Sequence, residues 1–317
     1  MAKMRSPRET MQETNEGTVQ TRSSSDLVSV VIPTYNRPKL LHRAISSALR
    51  QTHRDFEIIV VDGSPGEEAV SVIERFGDCR ISHVKQDPNT GLSAARNIGV
   101  RNSSGRYIAF LDDDDERLPE KIELQLEDLR NKESRLRASY CLLERFRDES
   151  NQVIGYFRPS SDGNHIRAWL CGENVPSPSC VLLEKECLER AGGFREDLPR
   201  LEDREQWIRL SKYYDFACLN RVLVRYHIHP AARVSNNSTA LLAAYPIVYR
   251  VHKDLFWKNR KSLSLFMQRF AHVVAKAGDR RSTRLLLLKS IAAYPLRIES
   301  YQLLIVQLTN GTCRSQK

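Results

Sequence analysis

An α/β fold with a mostly parallel sheet is predicted by three features of this 317-residue chain. From residue 27 onward, short runs rich in Val and Ile alternate with segments whose apolar residues recur at helical spacing. The runs are almost continuously apolar, which is typical of strands covered on both faces. One of them, at residues 107–111, passes directly into four acids at 112–115. Strands separated by helices favour parallel pairing, because the helices serve as crossover connections.

The first half of the sheet can be followed element by element. Strands are predicted at residues 28–32, 56–61, 81–84 and 107–111. Helices are predicted between them, at residues 39–51, 70–76 and 91–100. The first strand ends at Pro33 and the second at the turn sequence DGSP, since Pro and Gly interrupt regular structure. Leu41, Ala44 and Ile45 illustrate the helical spacing of the first helix, and Gly91 opens the third.

Two helices are predicted between the acids and residue 235. A helix over residues 120–129 follows Pro119, and an amphipathic helix covers residues 207–210. After Ser235 only helical spacing recurs, over residues 241–255, 263–277, 283–293 and 296–308. We therefore expect a C-terminal helical region after the sheet.

The charge of the chain is unevenly distributed. Residues 1–250 hold 36 basic and 36 acidic side chains, whereas residues 251–317 hold 13 and 3, so the net charge of +10 lies in the final fifth. Basic surfaces bind nucleic acid or anionic membranes. The apolar helical stripes of this region favour an anionic membrane surface, and no nucleic-acid partner is expected. A helical bundle that only packs on the sheet is the simpler alternative.

Cysteine usage and the first residues indicate the compartment. The seven cysteines are scattered and form no C-x-x-C pair, which argues against a disulfide framework or a zinc site and for a reducing compartment. Residues 1–26 are polar and contain no apolar signal-peptide core, so we expect a disordered leader. No run is long enough to span a membrane as a helix. We expect a cytoplasmic protein, either free or peripheral at the inner face of the membrane.

The acids at 112–115 carry the clearest chemical signal. Four adjacent carboxylates repel one another unless a cation lies among them, and carboxylate oxygens suit Mg²⁺ or Mn²⁺. A solvated acidic loop is the alternative. Because the acids follow a buried strand without a spacer, they belong to the carboxyl edge of the sheet, where ligands bind in open α/β folds. Asp112 and Asp114 would share one strand face if the extended conformation continued.

Several motifs in one order carry a family resemblance. They are VSVVIPTYNR at 28–37, FEIIVVDGS at 56–64, GLSAARNIG at 91–99, the acids at 112–115 with Pro119, LEDREQWIRL at 201–210 and VRYHIHP at 224–230. This pattern resembles the family 2 glycosyltransferases, enzymes of the GT-A fold that use nucleotide-diphospho-sugars. The family usually has Asp-Asp-Gly-Ser where this chain has only Asp62-Gly63-Ser64. The resemblance covers about two thirds of the chain.

The resemblance implies a role for each matching residue. It assigns nucleotide-sugar binding to Pro33, Tyr35, Asp62, Arg96, Asp112 and Asp113, a divalent metal to Asp114 and His229, and the catalytic base to Asp203. Simpler roles remain open for three of them. Tyr35 would be a turn residue with a buried ring, Arg96 a surface salt bridge, and Asp203 a helix N-cap. Asp113 and Asp115 would support or cap their neighbours, and His227 receives no role.

The implied activity is a single-displacement, inverting transfer of one sugar. The donor would be a nucleotide-diphosphate sugar, most simply a UDP-sugar. The acceptor would be a saccharide or a lipid-linked acceptor in glycan or surface-polysaccharide biosynthesis. Processive relatives carry Gln-x-x-Arg-Trp, which is absent here because Gln206 and Trp207 are adjacent.

Two other functions match the motifs less well than a glycosyltransferase. A sugar nucleotidyltransferase would need a Gly-rich basic loop where this chain has PTYNR, and an inactive nucleotide-sugar-binding module would have lost the acids, Asp203 or His229.

We predict a leader over 1–26 and a GT-A domain over 27–235. That domain consists of a nucleotide-binding half at 27–118 and an acceptor-side half at 119–235. The basic helical region covers 236–317.

Overall fold

The protein was analysed as a computed structural model that describes residues 26–87, 90–130, 135–159, 165–172, 175–228 and 238–309. The strands in these ranges are β1 (Val28–Thr34), β2 (Phe56–Asp62), β3 (Ile81–Lys85), β4 (Tyr107–Phe110), β5 (Asp115–Arg117), β6 (Leu136–Arg147), β7 (Gln152–Phe157), β8 (Val181–Glu184) and β9 (Asp215–Ile228). They form one sheet in the order β3-β2-β1-β4-β8-β6-β9-β5, and β7 pairs with β6.

Helices connect and cover the strands. Those between strands are α1 (Pro38–Leu49), α2 (Glu68–Phe76), α3 (Gly91–Arg101), α4 (Lys121–Arg130), α5 (His165–Leu170), α6 (Lys185–Ala191) and α7 (Glu202–Ser211). Those after the sheet are α8 (Ser238–Val251), α9 (Lys253–Lys258), α10 (Arg260–Lys276), α11 (Arg280–Ala293) and α12 (Ile298–Thr309). The first predicted C-terminal helix is two helices, because the chain leaves helical geometry at His252. Within the described ranges, none of the helices has the length and apolarity needed to cross a membrane.

The pairing confirms a mostly parallel α/β sheet. Strands β3, β2, β1 and β4 are parallel, as the alternation of strands and helices predicted. Beyond them, β8 pairs antiparallel with β4 and β6, whereas β6 and β9 are parallel. The carboxyl ends of β1, β2 and β4 therefore meet at one edge, and the functional site lies there.

Both faces of the parallel strands are covered. Val30 and Ile58 pack in one apolar cluster, whereas their neighbours Val31 and Ile59 pack in another on the opposite face. All seven residues of β1 are buried, which explains its mostly apolar sequence. The second cluster also contains side chains of α8, α10 and α11, so the C-terminal helices share a core with the sheet. The predicted division at residue 235 stays a prediction.

Candidate functional site

The acidic run forms a turn at the end of β4. The strand ends at Phe110, and the backbone N–H of Asp115 donates to the carbonyl of Asp112 at 3.0 Å. This bond closes a β-turn, so the expectation of an extended chain with Asp112 and Asp114 on one strand face was wrong. The N–H of Leu111 donates to the carbonyl of Val31 at 3.0 Å, which ties the turn to the core. The acids are therefore held by the sheet and do not belong to a solvated loop.

A cavity of about 840 Å³ opens beside this turn. It brings together residues from the first, third, fourth and fifth motifs, and its lining includes Pro33, Tyr35, Arg96, Asp112, Asp113, Asp114 and Asp203. From the second motif, Gly63 lines the cavity, whereas Asp62 lies behind it with no exposed surface. His229, the other predicted metal ligand, lies outside the described residues.

Arg96 connects two sides of the cavity. Its side chain is 1% exposed, Nη2 donates to Oδ1 of Asp112 at 2.9 Å, and Nη1 donates to Oε1 of Glu202 at 2.9 Å. A role as a surface salt bridge was therefore wrong. Burial opposes the charge of Arg96, but the carboxylates of Asp112 and Glu202 raise its pKa above the ordinary value. The guanidinium thus fixes the acid turn relative to α7.

The positive charge of Arg37 lies beside the carboxylates of the acid turn. Nη1 of Arg37 lies 3.1 Å from Oδ1 of Asp113 and 3.4 Å from Oδ2 of Asp114, and the hydroxyl of Thr34 donates to Asp113 at 2.8 Å. Burial raises the pKa of Asp113 to about 6, although Arg37 opposes the shift. Sequence reasoning did not assign Arg37 or Thr34. Both lie in the PTYNR motif, which is the only signal that could have identified them.

Two loops, at the ends of β1 and β2, flank the cavity. Tyr35 is 52% exposed, so the expectation of a buried ring was wrong and its ring is accessible from the cavity. The carboxylate of Asp62 accepts the N–H of Ser64 at 2.8 Å and lies 3.1 Å from Nζ of Lys85. Ser64 in turn accepts the N–H of Asn36 at 2.8 Å, so Asp62 holds the two loops together.

Asp203 lies in the first turn of α7 and also lines the cavity. The N-cap position belongs to Leu201, whose φ is +63°, so the interpretation of Asp203 as the N-cap was wrong. Oδ1 of Asp203 accepts the backbone N–H of Arg204 at 2.6 Å. Burial, together with the adjacent charge of Glu202, raises the pKa of Asp203 to about 6. A carboxylate with a pKa near neutrality is suited to accept a proton at physiological pH.

The acid turn fits a metal that is shared with a substrate. Among the described residues, no three His, Cys, Asp or Glu side chains form a metal site by themselves. Mg²⁺ at phosphate sites usually takes one or two carboxylates and completes its coordination with phosphate oxygens and water. Asp112 and Asp114 face the cavity and supply such oxygens. The donor set therefore suits a hard cation bound together with a phosphate-bearing ligand.

The fold and the site define an α/β protein with a cavity at the carboxyl edge of a parallel sheet, lined by an acid turn and by a carboxylate whose pKa is raised toward neutrality. Residues 29–190 match the family model described as glycosyl transferase family 2. The chain belongs to this family, and the resemblance in its motifs is confirmed.

Curated relatives agree with the assignment. The uncharacterized glycosyltransferase MJ1057 of Methanocaldococcus jannaschii is 32% identical over 242 residues, which are 74% of this chain and 81% of that protein. The Escherichia coli protein named UDP-Glc:alpha-D-GlcNAc-diphosphoundecaprenol beta-1,3-glucosyltransferase WfgD is 33% identical over 132 residues, 41% of this chain and 50% of its own.

Solved structures confirm the GT-A fold. S. aureus TarS 1-349 in complex with UDP-GlcNAc superposes with a TM-score of 0.57 at 17% identity, over 87% of this chain and 91% of that chain. The mannosyltransferase PcManGT of Pyrobaculum calidifontis, in complex with GDP-Man and Mn²⁺, gives 0.54 at 18% identity, over 92% and 88%. At these identities the similarity concerns the fold alone.

Proposed function

We propose that this protein is a metal-dependent, inverting glycosyltransferase. It transfers one sugar from a nucleotide-diphosphate donor, a UDP-sugar, to a saccharide or lipid-linked acceptor in glycan or surface-polysaccharide biosynthesis. One observation carries the proposal: the acid turn and Asp203, 88 or more residues apart in the chain, line the same cavity. Such a transfer needs a place for an anionic leaving group and a group that accepts a proton, and residues suited to both line this one cavity.

The donor side would hold the nucleotide diphosphate. Asp114, together with His229, would bind Mg²⁺ or Mn²⁺, which would neutralise the charge that develops on the departing diphosphate. Tyr35 offers an exposed ring on which a base can stack. Arg96 and Arg37 fix the carboxylates of the turn, so that the turn is already shaped for its ligand.

Asp203 would act on the acceptor. Its carboxylate takes the proton from the acceptor hydroxyl while that oxygen bonds to the anomeric carbon of the donor sugar. The bond from the anomeric carbon to the diphosphate oxygen breaks in the same displacement, and the nucleoside diphosphate leaves with the electron pair. The attack comes from the face opposite the leaving group, so the configuration at the anomeric carbon is inverted.

The names of similar proteins support this choice of ligands. WfgD is named for UDP-Glc and for a diphosphoundecaprenol-linked acceptor, and TarS was solved with UDP-GlcNAc. PcManGT was solved with GDP-Man and Mn²⁺, which supports the use of a divalent metal and makes a GDP-sugar the donor to test beside UDP-sugars.

A donor panel tests the proposed function. The protein is incubated with UDP-, GDP- and dTDP-sugars with Mn²⁺ or Mg²⁺, and release of the nucleoside diphosphate is measured. We expect slow hydrolysis of one donor class, dependent on the metal and lost in Asp114→Ala. Exposed Asp215 provides the matched control, Asp215→Ala, which should hydrolyse at the wild-type rate. Hydrolysis of none of the donors would contradict the proposal.

We also propose that the C-terminal region docks on an anionic membrane. Residues Ile298, Tyr301, Ile305 and Leu308 are exposed and recur three and four positions apart, so they form one outward apolar face of α12. On the neighbouring α11, Leu285 and Leu288 are also exposed, beside the basic side chains of Arg280, Arg281 and Lys289. Apolar residues beside basic ones are typical of helices that lie in a membrane interface.

Other occupants of this face match it less well. A second copy would bring the same positive charge to the contact, and like charges oppose association. Residues 310–317, NGTCRSQK, contain no large apolar side chain that could cover it. An anionic bilayer satisfies both the apolar face and the basic side chains, and each basic residue near such a surface contributes about 1 kcal/mol at low salt.

Liposome co-sedimentation tests the membrane proposal. Wild-type protein should bind anionic vesicles at low salt and dissociate at high salt, because salt screens the attraction. Ile305→Asp should bind far less. Val153→Asp alters a similarly exposed apolar residue of β7 and should bind like the wild type. Equal binding to neutral and anionic vesicles, or unchanged binding of Ile305→Asp, would contradict the proposal.

A further inference from the structure

Two arginines from different parts of the chain meet at Gly172. A Cβ placed on this glycine would lie 2.5 Å from Nη1 of Arg204 and 2.7 Å from Nη1 of Arg269, so both guanidinium groups occupy the space of a missing side chain. Arg204 belongs to α7 and Arg269 to α10 of the C-terminal region. Gly172 also has a φ of +71°, which favours glycine. The local structure therefore lets two positive groups approach each other closely.

Among the described residues, no carboxylate is hydrogen-bonded to either guanidinium group. In the part of the chain that the structure describes, neither Arg204 nor Arg269 forms an ion pair, and Nε of Arg204 is buried without a hydrogen-bond partner. Nη2 of Arg204 only approaches the carbonyl of Gly172, at 3.5 Å. Burial lowers the pKa of Arg204; Tyr245 and Asp203 oppose this shift, whereas the charges of Arg269 and Arg200 add to it. A buried guanidinium stays charged, so this cluster is costly unless an anion binds to it.

The arginine cluster adjoins the large cavity at Gly172. Arg200, Arg204 and Gly172 line it together with Asp203, the proposed base. Arg204 follows the base directly in the sequence, and Arg200 lies three residues before it. Because the base must face the acceptor hydroxyl, groups beside it contact the acceptor more readily than the nucleotide.

We propose that Arg200, Arg204 and Arg269 bind a phosphate group of the acceptor. This inference rests on the proposed function and specifies its acceptor: the sugar that receives the transfer is attached to a phosphate or diphosphate. Guanidinium groups suit this ligand because their planar donors can bond two phosphate oxygens at once. The donor diphosphate would bind separately, at the acid turn, through a divalent metal held by the carboxylates. The C-terminal region would thus complete the acceptor site through Arg269.

The experiment titrates phosphate probes into protein that is already saturated with UDP and Mg²⁺. The probes are hexyl phosphate and N-acetylglucosamine 1-phosphate, and hexanol and N-acetylglucosamine are their uncharged counterparts. We expect the phosphates to bind and the uncharged counterparts not to bind. Arg269→Gln should weaken phosphate binding about tenfold or more, since a hydrogen-bonded charge pair is lost. A preference for hexyl phosphate would indicate a lipid phosphate, and the reverse preference a sugar phosphate; both support the proposal.

Controls separate this inference from the proposed function. Arg260→Gln changes an exposed arginine of the same helix and should bind both UDP and phosphate normally. Arg204→Gln serves as a second variant, and thermal denaturation checks that each variant is folded. A protein that fails to bind UDP, or GDP in its place, contradicts the proposed donor, whereas the phosphate titration without nucleotide still reports on the arginines. Displacement of UDP by the probes, or unchanged phosphate binding in both variants, would overturn the inference.

Discussion

The protonation state of Asp203 should control the rate of transfer. Its pKa is raised to about 6 by burial and by Glu202. A group with this pKa is about nine-tenths ionised at pH 7 and about one-tenth ionised at pH 5. Because only the ionised carboxylate accepts a proton, the rate at saturating donor should fall about tenfold between these two values.

Asp203→Asn supplies the decisive comparison. The variant should lose about a hundredfold or more in rate, and its residual activity should lack the acid limb near pH 6. Asp113 also has a pKa of about 6, so UDP affinity is measured across the same pH range to exclude an effect on donor binding. Asp197 is exposed, and Arg195 lowers its pKa. The control variant Asp197→Asn should therefore show the wild-type dependence of rate on pH.

Stability distinguishes loss of the base from loss of the fold. The pKa of Asp203 in the folded protein lies above the ordinary value, so its ionisation costs stability as pH rises through about 6. Asparagine removes that cost, and Asp203→Asn should melt no lower than wild type at pH 8. An acid limb that persists in Asp203→Asn, or wild-type activity in this variant, would refute the role of Asp203 as base.

Two further predictions follow from the packing of the site. Tyr35→Ala should weaken UDP binding by about 1–3 kcal/mol through lost stacking, whereas Tyr213→Ala, an exposed tyrosine outside the cavity, should have no effect in the same titration. Gly99→Ala should lower the free energy of unfolding by about 1–3 kcal/mol, because its Cβ would lie 2.2 Å from Cγ1 of Val31. Val31→Ala in the same chain should relieve the clash, and additive losses in a denaturant titration would contradict this explanation.

The parallel half of the sheet was predictable mainly because β1, β2 and β4 are buried on both faces, whereas β3 is partly exposed. The runs that became β1, β2 and β4 are mostly apolar, and the observed bounds of all four strands lie within one or two residues of the predicted ones. Strands β6 and β9 were harder to recognise. β6 ends with Glu144, Arg145 and Arg147, and β9 contains Asn220 and Arg221, so neither shows a continuous apolar run.

The sequence predicted several side chains of the cavity lining but not the contacts among them. The motifs identified the side chains that line the cavity, yet the ion pair from Arg96 to Glu202 joins residues 106 positions apart. No local pattern in the sequence indicates such a contact. The turn at the acids was not predicted either, because the acids follow the strand without a spacer and the sequence does not mark where the strand ends. The pair of Arg204 and Arg269 depends on the packing of α10, which only the tertiary structure reveals.

The most direct test of the central claim is the effect of Mn²⁺ on UDP binding, measured by calorimetry. The wild-type protein should bind UDP at least about tenfold more tightly with Mn²⁺ than without it, since the metal would join Asp114 to the diphosphate. Asp114→Ala should bind UDP with the same low affinity in both conditions. A wild-type affinity that does not respond to Mn²⁺ or Mg²⁺, or an Asp114→Ala variant that responds fully, would contradict the claim.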